Sequence, residues 1–208
     1  MDSIEYLLLD ITSDLGVPVI AAFSFGESSF GYVASMGLGC HFSPMVAIQK
    51  ALLENALGRL SVIHRSRTDQ MRTFKPDFSD VVSFQDHAAL YSTDKSLRRH
   101  IKFIEGSKSV VEPNQVGTTR NMEQTLSLFA DRELSLFAVD LTTEDVESVG
   151  FRVARVVCPE LASLHGMHPY PYLRSKRIQH PESVFSWADE RSFSKNDSVM
   201  SFPPHMLG

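Results

Sequence analysis

Cysteine is almost missing from this chain. Two occur in 208 residues, Cys40 and Cys158, and neither stands in a Cys-x-x-Cys pair. A disulfide framework and a thiolate zinc site are thereby excluded, and a reducing cytoplasm suits the composition. Positive charge is also in short supply: 20 Lys and Arg face 25 Asp and Glu, for a net charge of -5. Such a chain has no general electrostatic pull on nucleic acid or anionic membranes. No apolar run reaches the length of a membrane span, and Met1-Asp2-Ser3-Ile4-Glu5 opens on acid, unlike the basic start of a signal peptide. A cytoplasmic location is expected, with neither nucleic acid nor membrane as partner. Nucleotide fingerprints are lacking as well. Gly37-Leu38-Gly39 has neither the Lys-Ser/Thr of a P-loop nor a third glycine, and no Gly-x-Ser-x-Gly accompanies Asp86-His87. No repeat, low-complexity tract or domain boundary interrupts a length that suits one good-sized domain.

What is present alternates between strand and helix patterns. "YLLLD" (Tyr6 to Asp10) and "VPVIAAFSF" (Val17 to Phe25) read as buried strands joined by the turn chemistry of "ITSDLG", hence an antiparallel hairpin. "FGYVAS" is a weaker strand, and Gly37 and Gly39 read as a turn easing it into a helix. That helix runs from Pro44 to about His64, with Ser43 as N-cap and Pro44 at the first helical position. Val46, Leu53, Leu57 and Leu60 form its apolar stripe. Arg65 to Phe84 reads as loop, and Asp86 to Tyr91, Asp94 to Glu105 and Met122 to Glu133 as helices. Ser107 to Arg120 is a polar connector. "LSLFAVDL" is a buried strand, "TTEDVESVG" a capped turn or short helix, and "FRVARVVC" a strand ending at Pro159. The Pro-, His- and Ser-rich tail reads as extended chain, anchored by Phe185, Trp187 and Phe193.

One carboxylate stands out. At 100° per residue Ala47, Ala51, Glu54, Gly58 and Ser61 share a helix face beside the leucines. Small side chains around Glu54 could admit another backbone or a ligand, and a buried carboxylate needs a partner such as a metal-bound nucleotide. The plainer alternative is a half-exposed glutamate paired with a nearby Lys or Arg. Arg59 points to another face and cannot reach the same atom unaided. His165 and His168, three apart with His180 further on, lack the thiolate and spacing of a zinc site.

Ordered stretches carry a more specific signal. These are "LLLDITSDLGVPVIAA", "GLGCHFSPMVAIQKALLENALGRL" with its Ala-Leu-x-Glu, "VVSFQDHAALY" with Asp-His-x-x-x-Tyr, "FAVDLTTEDVESVGFRVARVVCPEL" and "FPPHML". Together they resemble the YcaO family, and within it the ATP-dependent, azoline-forming cyclodehydratases of thiazole/oxazole peptide maturation. The resemblance implies a mixed, largely antiparallel α/β sheet with packed helices. Residues 1–208 would form the C-terminal portion of a YcaO-like domain, with an extended Pro/His-rich tail from about residue 165. It also implies ATP and Mg²⁺ as cofactors. A Cys, Ser or Thr side chain of a ribosomal precursor peptide attacks the preceding carbonyl, and phosphorylation makes the amide oxygen a leaving group. By the resemblance, Glu54 and Arg59 of the Ala-Leu-x-Glu stretch would bind the nucleotide, Glu54 holding its Mg²⁺, and Pro203 and Pro204 would form the substrate-side proline tail. No catalytic residue is assigned.

This chain departs from the family pattern in three places. Leu57 replaces the polar residue of Glu-x-x-Gln-x-Arg, the upstream Glu- and Arg-rich ATP motifs have no counterpart, and the chain closes on His205-Met206-Leu207-Gly208. The expected partners are therefore a complementary YcaO N-terminal half or another synthetase subunit, the precursor peptide, and an FMN dehydrogenase where azolines are oxidised. A half-domain would expose sheet and core surface and self-associate. A catalytically silent YcaO-like scaffold and a fragment of a longer protein are the alternatives, and thioamide formation is another known outcome for the superfamily.

Overall fold

Two apolar runs separated by a short polar turn fold back on each other. The computed structural model describes residues 4–68, 70–101, 112, 121–172, 175–180, 183–184 and 204–207. Strands β1 (Glu5–Asp10) and β2 (Val19–Ser28) pair antiparallel, Leu7 opposite Phe23 and Asp10 opposite Ile20. The turn uses Gly16 at φ 64°, a backbone state that glycine adopts without strain. Strand β3 (Gly31–Cys40) pairs antiparallel with β2, from Ser28 opposite Gly31 to Val19 opposite Cys40. Among the described residues, the order β1-β2-β3 leaves β3 with an edge that no strand pairs.

The sheet is covered on both faces. Alternation along β2 sends Ala21, Phe23 and Phe25 to one side, where they pack with Val81, Leu90, Tyr91, Leu97, Ile101 and Met206. Ile20 and Ala22 face the other way, against Ala47 and Ala51 of helix α1 (Pro44–Arg67). Helix α2 (Phe84–Thr93) and a 3-10 turn (Lys95–His100) supply the first cover. A capping box opens α2: the Ser83 hydroxyl accepts from Asp86 N–H, and Asp86 accepts from Ser83 N–H at 3.1 Å. Further along lie α3 (Met122–Asp131), β4 (Phe137–Asp140), α4 (Glu144–Ser148), β5 (Ala154–Val157) and α5 (Lys176–Gln179). Strands β4 and β5 make a separate antiparallel pair. Asp14, in the β1–β2 turn, pairs with Arg132 and Arg177 and so ties the later segments to the first hairpin.

Several expectations change. Gly37 and Gly39 are not a turn but strand residues of β3. A Cβ on Gly39 would lie 1.9 Å from the Ala47 carbonyl oxygen, and one on Gly37 would lie 2.3 Å from Asn55 N. These glycines therefore let strand and helix backbones touch. That contact also selects which face of α1 is buried. It is Ala47, Ala51, Asn55, Arg59 and Val62, while Leu53, Leu57 and Leu60 are 63%, 59% and 62% exposed. The leucine stripe points outward because only small or hydrogen-bonding side chains fit against a glycine-lined strand. The strand expected to be buried near the C-terminus, β4, is exposed along its length, with Phe137 at 58%, and so is its partner β5. Asp94 to Glu105 yields only the 3-10 turn among the described residues, and the Ser107–Arg120 connector, save Glu112, falls outside them, as do Phe185, Trp187, Phe193 and Pro203. Ser43 is the N-cap of α1 by position, but its side chain makes no cap bond.

Candidate functional site

The free edge of β3 meets α1 from one face of the sheet and α2 from the other. Two side chains cap that edge. Ser92 of α2 accepts from Ala34 N–H at 3.0 Å and donates to Ala34 O at 3.2 Å, and Glu54 of α1 accepts from Leu38 N–H at 2.6 Å. Two residues along from each, Met36 presents its backbone to the same edge. It borders a cleft of about 250 Å³ between the helices, whose walls include Glu54, Leu57, Ser61, Arg65, Gln85 and Met206.

The cleft follows one face of α1. Glu54, Gly58, Ser61 and Arg65 fall within an arc of roughly 60°, and Glu54 and Arg65 are about 16 Å apart along the axis. Gly58 keeps the floor low, since a Cβ there would come within 2.7 Å of Ser35 Oγ. Arg65 Nε is buried without a partner among the described residues, while its Nη2 donates to Gln70 O at 3.4 Å. One end of the cleft thus carries a carboxylate with one oxygen spent, and the other a guanidinium whose Nε is enclosed. That is a donor set for a hard cation and an anionic group.

The adjacent face of the helix is built differently. Asn55 is fully buried and its Nδ2 donates to Ala22 O at 3.0 Å and Ser35 O at 2.8 Å. Arg59, one turn on, is buried and donates to Val33 O at 3.1 Å, Glu27 O at 3.2 Å and Gly26 O at 3.3 Å. Arg59 therefore bolts α1 across the β2–β3 turn, on a face of the helix apart from Glu54. Sequence reasoning missed Asn55, whose signal was its four-residue spacing with Ala47, Ala51 and Arg59. It also missed Arg65 and Gln85, which required the tertiary approach of α1 and α2.

Asp86 and His87, adjacent on α2, do separate work. Burial opposes ionisation of Asp86, but bonds from the Ser83 hydroxyl, Arg72 and Val82 N–H more than offset it and hold the carboxyl below its usual range. His87 belongs to a histidine cluster. Its ring stacks on that of His205 with centroids 3.9 Å apart, and both lie edge-on to His165. Burial pushes all four members, His87, His165, His168 and His205, below their ordinary pKa. His165 and His168 thus gather with His87 and His205. Among the described residues no group of three His, Cys, Asp or Glu side chains is arranged to hold a metal ion. Pro204 is buried beside Tyr91, whose hydroxyl donates to its carbonyl at 2.7 Å.

A three-stranded antiparallel sheet between two helices, with a carboxylate-edged cleft where they meet, defines a mixed α/β domain with a candidate ligand site at one sheet edge. Residues 2–162 match the profile of the ATP- and Mg²⁺-binding YcaO cyclodehydratases, more than half of the sequence, and the chain belongs to the YcaO family. It is 31% identical over 172 residues to an uncharacterised protein of Methanothermobacter thermautotrophicus, covering 76% of this chain and 39% of that one. Among solved structures it resembles a heterocyclase in complex with substrate and cofactor, with TM-score 0.59 and 20% identity, and the heterocyclase TruD, with TM-score 0.51 and 18% identity. Each likeness covers 85% of this chain but 22% of the heterocyclase. The chain thus spans well under half the length of these relatives. Among the described residues no helix is long and apolar enough to cross a membrane.

Proposed function

We propose that this chain is the C-terminal portion of an ATP-dependent YcaO cyclodehydratase. In this reading it converts Cys, Ser or Thr residues of a ribosomal precursor peptide to thiazolines or oxazolines in the cytoplasm. The N-terminal portion of the domain is supplied by further sequence, on the same or a separate polypeptide. Family membership supports the reaction class, and the observation that carries the site assignment is Glu54 at the mouth of the α1–α2 cleft. Its second carboxylate oxygen would take part in holding Mg²⁺–ATP, and the Arg65 guanidinium brings positive charge to the far end of the cleft. The bound nucleotide supplies the phosphoryl group that makes the amide oxygen a leaving group. Residues of this chain supply positioning and charge. Arg59 acts at one remove, holding α1 on the sheet so that Glu54 keeps its place. Pro204, buried beside Tyr91, and Pro203 before it in sequence correspond to the proline part of the family's tail. The exposed strands β4 and β5, with the outward leucines of α1, are surface for the complementary portion or another synthetase subunit. An FMN dehydrogenase would act on the product where azoles are made.

A second reading rests on Leu57. It puts an apolar side chain in the cleft wall where a polar one belongs, which suits a silent scaffold or substrate-presenting subunit. The two readings part in one assay. The chain is combined with its complementary portion and a precursor peptide, and ATP hydrolysis is followed together with loss of water from the peptide by mass spectrometry. ATP-dependent water loss is expected. A complex that binds peptide and never turns over would establish the scaffold.

A further inference from the structure

Asp86-His87-x-x-x-Tyr91 puts two hydrogen-bonding side chains one helical turn apart on the same face of α2. Both address consecutive carbonyls of one short segment near the C-terminus: the Tyr91 hydroxyl donates to Pro204 O at 2.7 Å, and His87 Nδ1 donates to His205 O at 2.9 Å. His205 completes a chain of bonds by donating from Nε2 to His165 O at 2.7 Å, and its ring stacks on His87. These bonds fix the tautomers. His87 Nε2 and His205 Nδ1 are then left as lone pairs, buried and without partners among the described residues. Asp86 secures the arrangement from below, since its carboxylate closes the N-terminus of α2 and binds Arg72. Met206, the next residue along, packs into the core beside Tyr91 and at the same time walls the α1–α2 cleft that contains Glu54.

We propose that His87 and Tyr91 are a clamp for residues 204–207, and that the clamped segment forms a wall of the Glu54 cleft through Met206. Both are positioning residues. Pinning two successive carbonyls fixes the direction of the segment as well as its distance from α2. Release would withdraw Met206 and open the cleft on its α2 side. The clamp stands on the geometry of α2 and residues 204–207 alone, and its consequence for nucleotide rests on the function proposed above.

Met206 is its own reporter, because it is buried while Met45 is exposed. Oxidation of the full chain by dilute peroxide, read methionine by methionine in peptide mass spectra, gives the rate at Met206 against Met45. Hydrogen exchange of the β2 amides monitors the global fold. Tyr91→Phe keeps the ring and deletes the donor, and His87→Leu deletes the other. Each should raise the Met206 rate roughly fivefold, as expected for one neutral hydrogen bond, with β2 exchange unchanged. His87→Asn, which retains an N–H, should restore protection. An unchanged Met206 rate overturns the clamp, and so does a rise that merely tracks β2 exchange. If Met206 responds while Glu54→Gln leaves ATP turnover intact, the clamp holds and the nucleotide reading fails.

Discussion

Replacing Gly39 with alanine should be among the most damaging single-methyl additions to this domain. The new Cβ would sit 1.9 Å from the Ala47 carbonyl oxygen and 2.6 Å from Ala51 N, both backbone atoms of α1. Restoring an ordinary carbon–oxygen contact requires the helix and β3 to separate by about 1.3 Å, and a gap of that size forfeits about half the dispersion energy across the contact. The same displacement stretches both Asn55 bonds to β2 and β3 and the Glu54 bond to Leu38. The two buried Asn55 bonds lost at about 1 kcal/mol each, plus a similar packing loss, give roughly 4 kcal/mol, the exposed Glu54 bond adding little. For a domain of this size that lowers the melting temperature by roughly 10 °C. Gly58→Ala is the control. Its Cβ would crowd Ser35 Oγ, at 2.7 Å, which can rotate away at the cost of its bond to Asn55 O, and would meet Met36 O at an ordinary 3.8 Å. Better helix propensity offsets that cost, so the net change should be within about 1 kcal/mol. Thermal melts followed by circular dichroism compare the two. A Gly39→Ala protein as stable as Gly58→Ala would refute the claim that backbone contact fixes the buried face of α1.

Other outcomes follow from the same framework. Arg59→Met should lose about 2–4 kcal/mol in urea titrations by stranding three carbonyls at the β2–β3 turn, and Arg59→Lys should recover only part, since an ammonium cannot fork to them all. Acid should free the tail. Burial first, then the facing charges of His87 and His165, push His205 down to about 4. With His87, His165 and His168 lowered as well, and Asp86 committed to Arg72 and Ser83, no carboxylate described here balances a charged cluster. The unfolded chain binds protons first, so the segment is fully held above about pH 6.5 and loses hold as pH falls toward 4. Met206 oxidation should rise across that window, and a flat profile would contradict the burial of the neutral pair.

The first hairpin and the start of α1 were legible because local chemistry decides them: Gly16 with its flanking turn residues, and Ser43-Pro44 before the helix. The buried face of α1 was not. Hydrophobic periodicity nominated the leucines, but the strand beneath carries Gly37 and Gly39, and close backbone approach favoured alanine and asparagine over larger apolar side chains. The β4 sequence reads as buried because it is apolar, and it lies exposed in a chain that spans well under half the length of its relatives. Glu54 was singled out by helical phase together with its match to the Ala-Leu-x-Glu motif. Its companions Arg65 and Gln85, and the use of Asp86, His87 and Tyr91, depended on which helices meet at the β3 edge.

The assignment of Glu54 to Mg²⁺–ATP is tested most directly by Glu54→Gln in the chain combined with its complementary portion, with ATP hydrolysis measured as Mg²⁺ is varied. The amide can still accept from Leu38 N–H, so the β3 edge stays capped while the charge is removed. The account predicts that the Mg²⁺ needed for half-maximal rate rises by a factor of about 10 to 100, with unchanged melting temperature. An unaltered Mg²⁺ dependence at full rate would contradict it and leave Glu54 as an edge cap alone.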